Sequence, residues 1–424
     1  MSKTQARSRS NKELRNIVAK KIVVVGSGHA GAQFCASVIE SKEDVQLVLV
    51  GDEAHLPYQR PPLSKTYLKD PQPEAALLRA ASFYSDNNTA LQLASKAVDI
   101  DRQGKTIGLA SGERLAYDCL VLAMGTRART LPLFEGGYDN VFTLRTLDDA
   151  QRLRGRLQAA QNVLVIGGGF IGLEIAATSA QLGKAVTLLE AAPRLLGRSS
   201  SPEISSYLLE KHRATGVDIR LQTAADRIDV ADNSVQGVWV GEDYLPADMV
   251  IVGIGAVPND ELARQAGLEC DNGVVVDAYM RTSDPDILAI GDCTAFPSAA
   301  LGRRIRLESV QNANDQARCA ALTVAGKPQA YAALPWFWSD QGAVRIQIAG
   351  VPEQDHKRVV RGDPAQDKFS VLYFKGDILT SAESINSAAD HIAARKLITL
   401  GTAITPAQAA DAGVPLKDLM NKPA

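Results

Sequence analysis

The chain has 424 residues, 46% of them hydrophobic and 22% charged, a length and balance that suit two or three domains with sizeable cores. Its 46 Lys and Arg against 48 Asp and Glu leave a formal net charge of −2. That balance gives no support for nucleic acid or an anionic membrane as the main partner.

Residues 1–20 are polar and basic, with Lys3, Arg7, Arg9, Lys12 and Arg15 against Glu13. The segment lacks the apolar stretch of a secretory signal and reads as a disordered tail. No stretch approaches the length of a membrane span. The expected location is therefore the cytoplasm.

From Lys21 the texture changes. Ile22-Val-Val-Val25 is a β-branched run that suits a buried parallel strand. Gly26-Ser-Gly28-His29-Ala30-Gly31 follows, with glycines spaced for a sharp turn, for close approach of a pyrophosphate, and for helix–strand packing. The helix that follows aims free N–H groups and its positive end at the phosphates. The next apolar run ends at Asp52, where a carboxylate accepts hydrogen bonds from a ribose. The same design recurs at Asn162–Ile166, Gly167-Gly-Gly169-Phe170-Ile171-Gly172, and a second strand ending at Glu190. One such fingerprint is weak evidence. Two, each in strand–turn–helix–strand–acid context, point to a protein that passes electrons between two nucleotides.

Between the fingerprints, the stretch Leu91–Ala110 reads as a strand pair, and Tyr117–Ala123 as a buried strand ending at Met124-Gly125. The second fold closes in the same way with Asp248-Met-Val-Ile-Val-Gly253-Ile254-Gly255. Thr282–Asp292 reads as a turn, a short buried strand and an acid at its end, and a helix opens at Ser309-Val310-Gln311. Beyond Pro335, Ala343–Ile348 and Phe369–Phe374 read as strands. Lys375-Gly-Asp377 is a hairpin turn into Ile378–Glu383, and Asp390–Leu400 and Thr405–Ala412 read as helices. The predicted fold class is α/β: two Rossmann-like dinucleotide-binding domains, glutathione-reductase-like, plus a C-terminal α+β domain.

Cys35, Cys119, Cys270, Cys293 and Cys319 are scattered, with no C-x-x-C. This argues against a disulfide framework, a zinc site or a redox dithiol. The five histidines are equally dispersed and no metal site is expected.

Beyond the fingerprints, Leu56-Pro-Tyr-Gln-Arg60-Pro-Pro-Leu-Ser-Lys65, Ile290-Gly-Asp292, Glu308-Ser-Val-Gln-Asn312 and Pro335-Trp-Phe-Trp338-Ser-Asp340 form a more specific set. With them the chain, from about Lys21 to Leu400, resembles the FAD-containing, NADH-dependent ferredoxin reductases. These serve bacterial cytochrome P450 and Rieske oxygenase systems. The resemblance implies non-covalent FAD on the first fingerprint and NADH on the second. It implies a discontinuous FAD domain (21–130 and 256–333), an NADH domain inserted at 131–255, and a C-terminal interface domain at 334–424.

Residue by residue, the resemblance puts Gly26, Gly28, His29, Ala30, Gly31, Asp52, Arg60, Met124, Gly125, Arg145, Asp292, Ser309, Val310 and Trp338 against FAD. It puts Gly167, Gly169, Phe170, Ile171, Gly172, Glu190, Arg194, Gly253, Ile254 and Gly255 against NAD. Lys65 and Glu174 pair beside the flavin ring as the catalytic residues. Trp336 is expected in the core. Met124 stands where many relatives of the wider superfamily have threonine, and Gly253-Ile-Gly255 likewise replaces that Ala-Thr-Gly triplet in the second fold. Both changes keep the glycine-turn chemistry.

A carboxylate at position 190 repels a 2′-phosphate, so NADH is expected over NADPH, with Arg194 as a complicating cation nearby. The implied partner is a small acidic [2Fe–2S] ferredoxin, docking on arginines such as Arg303, Arg304, Arg306 and Arg345. A monomer or weak homodimer is expected. The alternatives are a rubredoxin reductase, an NADH redox-sensing protein similar to apoptosis-inducing factor, and a disulfide or peroxide reductase. The last needs a cysteine near the flavin, whereas Cys35 lies inside the first helix and the arm that would carry a dithiol reads Arg60-Pro-Pro-Leu-Ser-Lys65.

Overall fold

The computed structural model describes residues 19–421; the basic segment read as a tail lies outside them except for its last two residues. The strand β1 (Lys20–Val25) is the β-branched run, and Ile22, Val23 and Val24 are fully buried. It is followed by α1 (His29–Ser41), β2 (Val45–Val50), β3 (Thr89–Gln92) and β4 (Cys119–Leu122). All of these strands pair in parallel.

The chain then leaves through Thr126–Ala128 and builds a second unit. Its elements are β5 (Val141–Phe142), α2 (Leu147–Ala159), β6 (Asn162–Ile166), α3 (Phe170–Gln181), β7 (Ala185–Glu190), α4 (Pro202–Ala214), β8 (Asp218–Leu221) and β9 (Met249–Val252). The strand order is β8-β7-β6-β9-β5, again parallel. The exit strand Ala256–Pro258 pairs antiparallel with Thr126–Ala128, so the insert leaves and returns at one place.

Next, β10 (Ile287–Ala289) adds to the free edge of β4. The first sheet is therefore β10-β4-β1-β2-β3. In both sheets the strand before the glycine turn is central. It lies between the strand that ends in the acid and the strand that ends at Gly125 or Gly253. Ligands on such sheets collect at the carboxyl ends of the strands, where all three of these turns lie. The strand pair expected across Leu91–Ala110 divides: Thr89–Gln92 joins the parallel sheet, and the hairpin is Ala97–Asp101 with Thr106–Leu109. The long helix α5 (Val310–Val324) packs against α1, and Ser309 caps it by accepting from the Asn312 N–H at 3.0 Å.

The C-terminal unit has β11 (Trp336–Gln341), β12 (Val344–Ala349), β13 (Lys357–Asp363), β14 (Lys368–Lys375), β15 (Ile378–Ile385) and α6 (Ala388–Leu400). The antiparallel order is β11-β12-β15-β14-β13. The hairpin at Gly376 has the expected positive φ, 60°. Sequence reading did not find β11 or β13, because neither shows a clean apolar alternation. One face of the sheet (Ile346, Ile348, Val371, Tyr373) shares a core with Val165, Leu173 and Ile175 of the second unit. The other face (Leu372, Phe374, Ala382) packs on Ala394 and Leu397 of α6. Tyr373 also donates to buried Glu383, whose carboxylate accepts the Ser201 N–H at the start of α4. The C-terminal sheet is thus bound to the second unit by both apolar and polar contacts.

Glycine spacing carries the helix–strand packing. A Cβ on Gly172 would lie 2.1 Å from the Gly167 carbonyl oxygen. A Cβ on Gly155, in the middle of α2, would meet nothing within 4 Å. Gly172→Ala is therefore expected to destabilise by at least about 2 kcal/mol through overpacking. Gly155→Ala is expected to stabilise by roughly 0.5–1 kcal/mol. Urea denaturation of the two variants checks both signs.

Candidate active site

Both fingerprints form the same local structure. Gly26 and Gly167 turn with φ of 116° and 105°, and a Cβ on either would lie within 2.6 Å of the facing carbonyl oxygen, Ala123 or Gly253. Gly28 and Gly169 are the N-caps of α1 and α3, and neither helix start has a side-chain cap. A Cβ on Gly28 would meet nothing closer than Arg60 at 3.9 Å, and one on Gly169 nothing closer than the Gly253 oxygen at 3.7 Å. Each helix start is therefore an open cradle of N–H donors, which fits a diphosphate group.

Around the first cradle the structure gathers cations. Arg60 Nη2 lies 2.6 Å from Glu53 Oε1, and its Nη1 donates to the Arg145 carbonyl at 2.7 Å. Tyr58 completes the cluster by donating to Glu53 Oε2 at 2.5 Å and accepting the Leu147 N–H at 2.8 Å. Arg145 Nη2 reaches Asp292 Oδ2 at 3.1 Å and passes beside Gly125. A Cβ on Gly291 would lie 2.9 Å from Ala30 Cβ, so the Asp292 loop runs directly over the first turn of α1. Burial pushes the Asp292 carboxyl up, with Arg145 opposing it. Burial first, then Arg60 and Arg145, push the His29 imidazole down to about 4, so it is neutral at pH 7.

Of the residues sequence reading assigned here, Gly28, His29, Arg60, Gly125, Arg145 and Asp292 are brought together. Met124 adjoins them, with its carbonyl held by Asn259 at 2.8 Å. Asp52 stands exposed at the end of β2, and it is Glu53 that turns inward. Sequence reading did not single out Glu53. Two consecutive acids at a strand end carry no signal for which one faces the cleft.

The second cradle is clamped by Glu190, whose Oε2 accepts the Gly168 N–H at 2.6 Å and Oε1 the Ala192 N–H at 2.7 Å. Arg194 donates to its own loop: to the carbonyls of Ser200 (2.5 Å) and Gly197 (2.7 Å) and to Ser205 Oγ (3.0 Å). These bonds tie its guanidinium down. Arg198 was not expected here. It is exposed, and its Nη2 lies 3.6 Å from where a Cβ of Gly255 would be. Phe170 packs on Phe337 at 4.5 Å between centroids, Ile171 is 43% exposed, and Ile254 reaches the Gly167 turn.

One buried ion pair joins the arm that carries Arg60 to α3, the helix of the second cradle. Lys65 Nζ lies 2.6 Å from Glu174 Oε2, with side chains 17% and 4% exposed. Two prolines stiffen Pro61–Ser64, the short helical turn that delivers the lysine. Ser64 Oγ donates to the same carboxylate oxygen at 2.5 Å, and Ser339 Oγ of β11 donates to the other at 2.6 Å. Lys65 also donates to the Pro61 carbonyl at 3.0 Å.

Trp336 and Trp338 are half-buried and stacked, with centroids 5.6 Å apart at 29°. The core position expected for Trp336 is not found. Arg395 covers its face at 4.6 Å, and its backbone N–H donates to Gln311 at the start of α5. Edge-on to it lies His391, 2% exposed, with neither ring nitrogen partnered. Burial, then Arg395 and Arg345, push His391 down to about 4.

A parallel pair of dinucleotide folds with an ion pair where they meet defines a two-nucleotide oxidoreductase. Residues 20–317 match the model of the family described as pyridine nucleotide-disulphide oxidoreductase, and residues 336–420 match the reductase C-terminal family. The chain belongs to the pyridine nucleotide-disulphide oxidoreductase family. It is 43% identical to rhodocoxin reductase of Rhodococcus erythropolis, over 93% of each chain. It is 40% identical to the ferredoxin–NAD(+) reductase component of the anthranilate 1,2-dioxygenase system of Burkholderia cepacia, over 95% of this chain and all of that protein. The crystal structure of the covalent putidaredoxin reductase–putidaredoxin complex superposes with a TM-score of 0.92 at 39% identity, covering 95% of this chain and 98% of that one. Ferredoxin reductases of this kind use FAD and NAD(H).

Removing one partner of the central pair leaves a buried carboxylate beside an apolar side chain. Lys65→Met is therefore expected to destabilise by about 3 kcal/mol, and the double variant Lys65→Met/Glu174→Leu to recover most of it, as denaturant midpoints will show. For His391 the folded chain refuses a proton that the unfolded chain accepts below about 6.5. Stability therefore falls as pH drops from about 6.5 to about 4, by at most about 1.4 kcal/mol per pH unit. His391→Phe is expected to flatten the acid-side slope of stability against pH.

Proposed function

We propose that this protein is an NADH-dependent ferredoxin reductase. It takes electrons from NADH through bound FAD and delivers them to a small [2Fe–2S] ferredoxin that feeds a cytochrome P450 or Rieske oxygenase. The observation that carries this reading is the buried Lys65–Glu174 pair that ties the arm of the first dinucleotide fold to the cradle helix of the second, together with relatives at about 40% identity over nearly the whole chain that are reductases of such systems. When bound, FAD supplies the redox step, a two-electron entry from NADH and a one-electron exit.

The chain's own residues bind and orient. The N–H groups of Gly28 to Gly31 and the Arg60 guanidinium hold the FAD diphosphate. Asp52 or its inward neighbour Glu53 takes the adenosine ribose, and Asp292, held by Arg145, takes a ribityl hydroxyl. The Ser309–Val310 end of α5 turns its positive pole toward the flavin pyrimidine. Gly169 to Gly172 and Arg198 hold the NADH diphosphate. Gly253 and Gly255 leave room for nicotinamide, and Lys65–Glu174 fixes its approach to the flavin ring and excludes water there.

Glu190 takes the adenosine ribose of NADH, and Arg194, spent on its own loop, offers nothing to a 2′-phosphate. Arg306, expected among the docking arginines, is only 12% exposed and is held by Glu308 at 2.7 Å and the Asp292 carbonyl at 3.3 Å, whereas on the outer surface Arg303 pairs with Glu353 at 2.7 Å and Arg304 and Arg345 lie 3.6 Å from Glu269 and Asp340. Exposed pairs of this kind are weak, so an acidic ferredoxin can replace the internal acids.

Among the described residues no helix is long and apolar enough to cross a membrane. We place the protein in the cytoplasm. A disulfide or peroxide reductase needs an accessible thiolate. Here burial pushes the Cys35 thiol up to about 12 and Cys119, Cys293 and Cys319 up to about 11.

The test is steady-state reduction of cytochrome c by the purified flavoprotein with and without added [2Fe–2S] ferredoxin. Fast, ferredoxin-dependent turnover is expected, with kcat/KM for NADH at least about a hundredfold above NADPH, a difference of ~2.7 kcal/mol. A colourless protein, or turnover indifferent to ferredoxin, overturns the reading.

A further inference from the structure

The hydrogen bonds behind Glu174 do not end at Ser339. Gln341, two residues along β11, donates from Nε2 to Ser339 Oγ at 3.2 Å, and its Oε1 lies 2.9 Å from His212 Nε2 on α4. Glu174, Ser339, Gln341 and His212 are 3%, 0%, 3% and 4% exposed. With water excluded, each polar group has to be satisfied by its neighbours.

That requirement fixes the direction of the chain. Ser339 has one hydroxyl proton, and Glu174 takes it. Its lone pairs must then accept, so Gln341 presents its amide N–H. Gln341 Oε1 is left facing His212, which must carry its proton on Nε2. Every donor in the chain points toward Glu174. Burial lowers the His212 pKa, with the Gln341 bond opposing it, so the ring stays neutral.

The strand geometry makes this arrangement specific. Alternate residues of β11 face opposite ways. Phe337, Ser339 and Gln341 meet Phe170, Glu174 and His212 in turn, while Trp336 and Trp338 stack together on the other face. A slip of one residue would set Trp338 or Asp340 against the Glu174 carboxylate. The lysine side is fixed as well, because Thr178 Oγ1 on α3 donates to the Ser64 carbonyl at 2.9 Å.

We propose that Ser339, Gln341 and His212 are positioning residues for Glu174: their buried chain aims its carboxylate at Lys65, so that the C-terminal sheet completes the active site. What the pair acts upon rests on the reading above. The chain itself rests on the geometry of these residues.

The test uses the holoenzyme and the variants S339A, S339T, Q341L, H212L and H212Q. Two quantities are read: the stopped-flow rate of flavin reduction at saturating NADH with its half-saturation concentration, and the rate of Lys65 acetylation by peptide mass spectrometry. S339A is expected to slow flavin reduction roughly tenfold, as for a misplaced catalytic group. Its half-saturation should stay within about twofold. Lys65 acetylation should rise severalfold, and S339T should restore both readings. H212L is expected to shift both in the same direction, and H212Q, which keeps an N–H in reach of Gln341, to restore them.

Wild-type values of both quantities in S339A and Q341L would overturn the proposal, whatever happens to the melting temperature. Should S339A fail to fold, equal behaviour of H212L and H212Q would overturn it. A wild-type protein whose flavin is reduced by NADH but which passes nothing to ferredoxin would sink the functional reading and leave this inference standing.

Discussion

Everything in this molecule is arranged about one buried carboxylate. Glu174 sits in the second turn of α3, and two other parts of the chain reach it. The Pro61–Ser64 turn brings Ser64 and Lys65 from the first unit, α3 belongs to the second, and β11 brings Ser339 from the third. A carboxylate this far from water is tolerated only when it is paired and hydrogen-bonded. The requirement therefore acts as a constraint on docking, because the three units must be in register for the charge to be satisfied. The same constraint places the helix end of the second fold beside the loop of the first.

The first cleft follows a related logic with the opposite sign. Arg60 and Arg145 lie close together, and that repulsion is offset by Glu53 and Asp292 and by keeping His29 neutral. The result is a cluster of fixed donors beside the open start of α1, suited to a dianionic diphosphate. Burial here tunes protonation as well as packing. The histidine between two guanidinium groups loses its proton, and the aspartate beside them is pulled in two directions.

The internal duplication shows how little sequence a dinucleotide cradle needs. Gly26 and Gly31 correspond to Gly167 and Gly172, and in each pair the second glycine lies against the carbonyl of the first. Of the intervening residues only Gly28 and Gly169 match; Ser27, His29 and Ala30 face Gly168, Phe170 and Ile171. What differs between the clefts is their cations, and these come from outside the fingerprints. Arg60 arrives on the long connection after β2 and Arg145 on the short link into α2 of the second unit, whereas Arg198 follows its own strand.

By itself the sequence determined the parallel sheets, both cradles and the order of the units, because strand runs and glycine spacing are local signals. It also singled out Lys65, Glu174, Arg60 and Asp292 as candidate site residues, through motifs that resemble a known family. Tertiary structure alone decided the rest. It turned Glu53 inward where Asp52 stands exposed, spent Arg194 on its own loop, and set Trp336 in a stack instead of a core. It also brought Ser339, Gln341 and His212 behind Glu174. A serine, a glutamine and a histidine have no periodicity that marks them as partners. Their hydrogen bonds close across 129 and 165 residues of chain, a separation that no local pattern encodes.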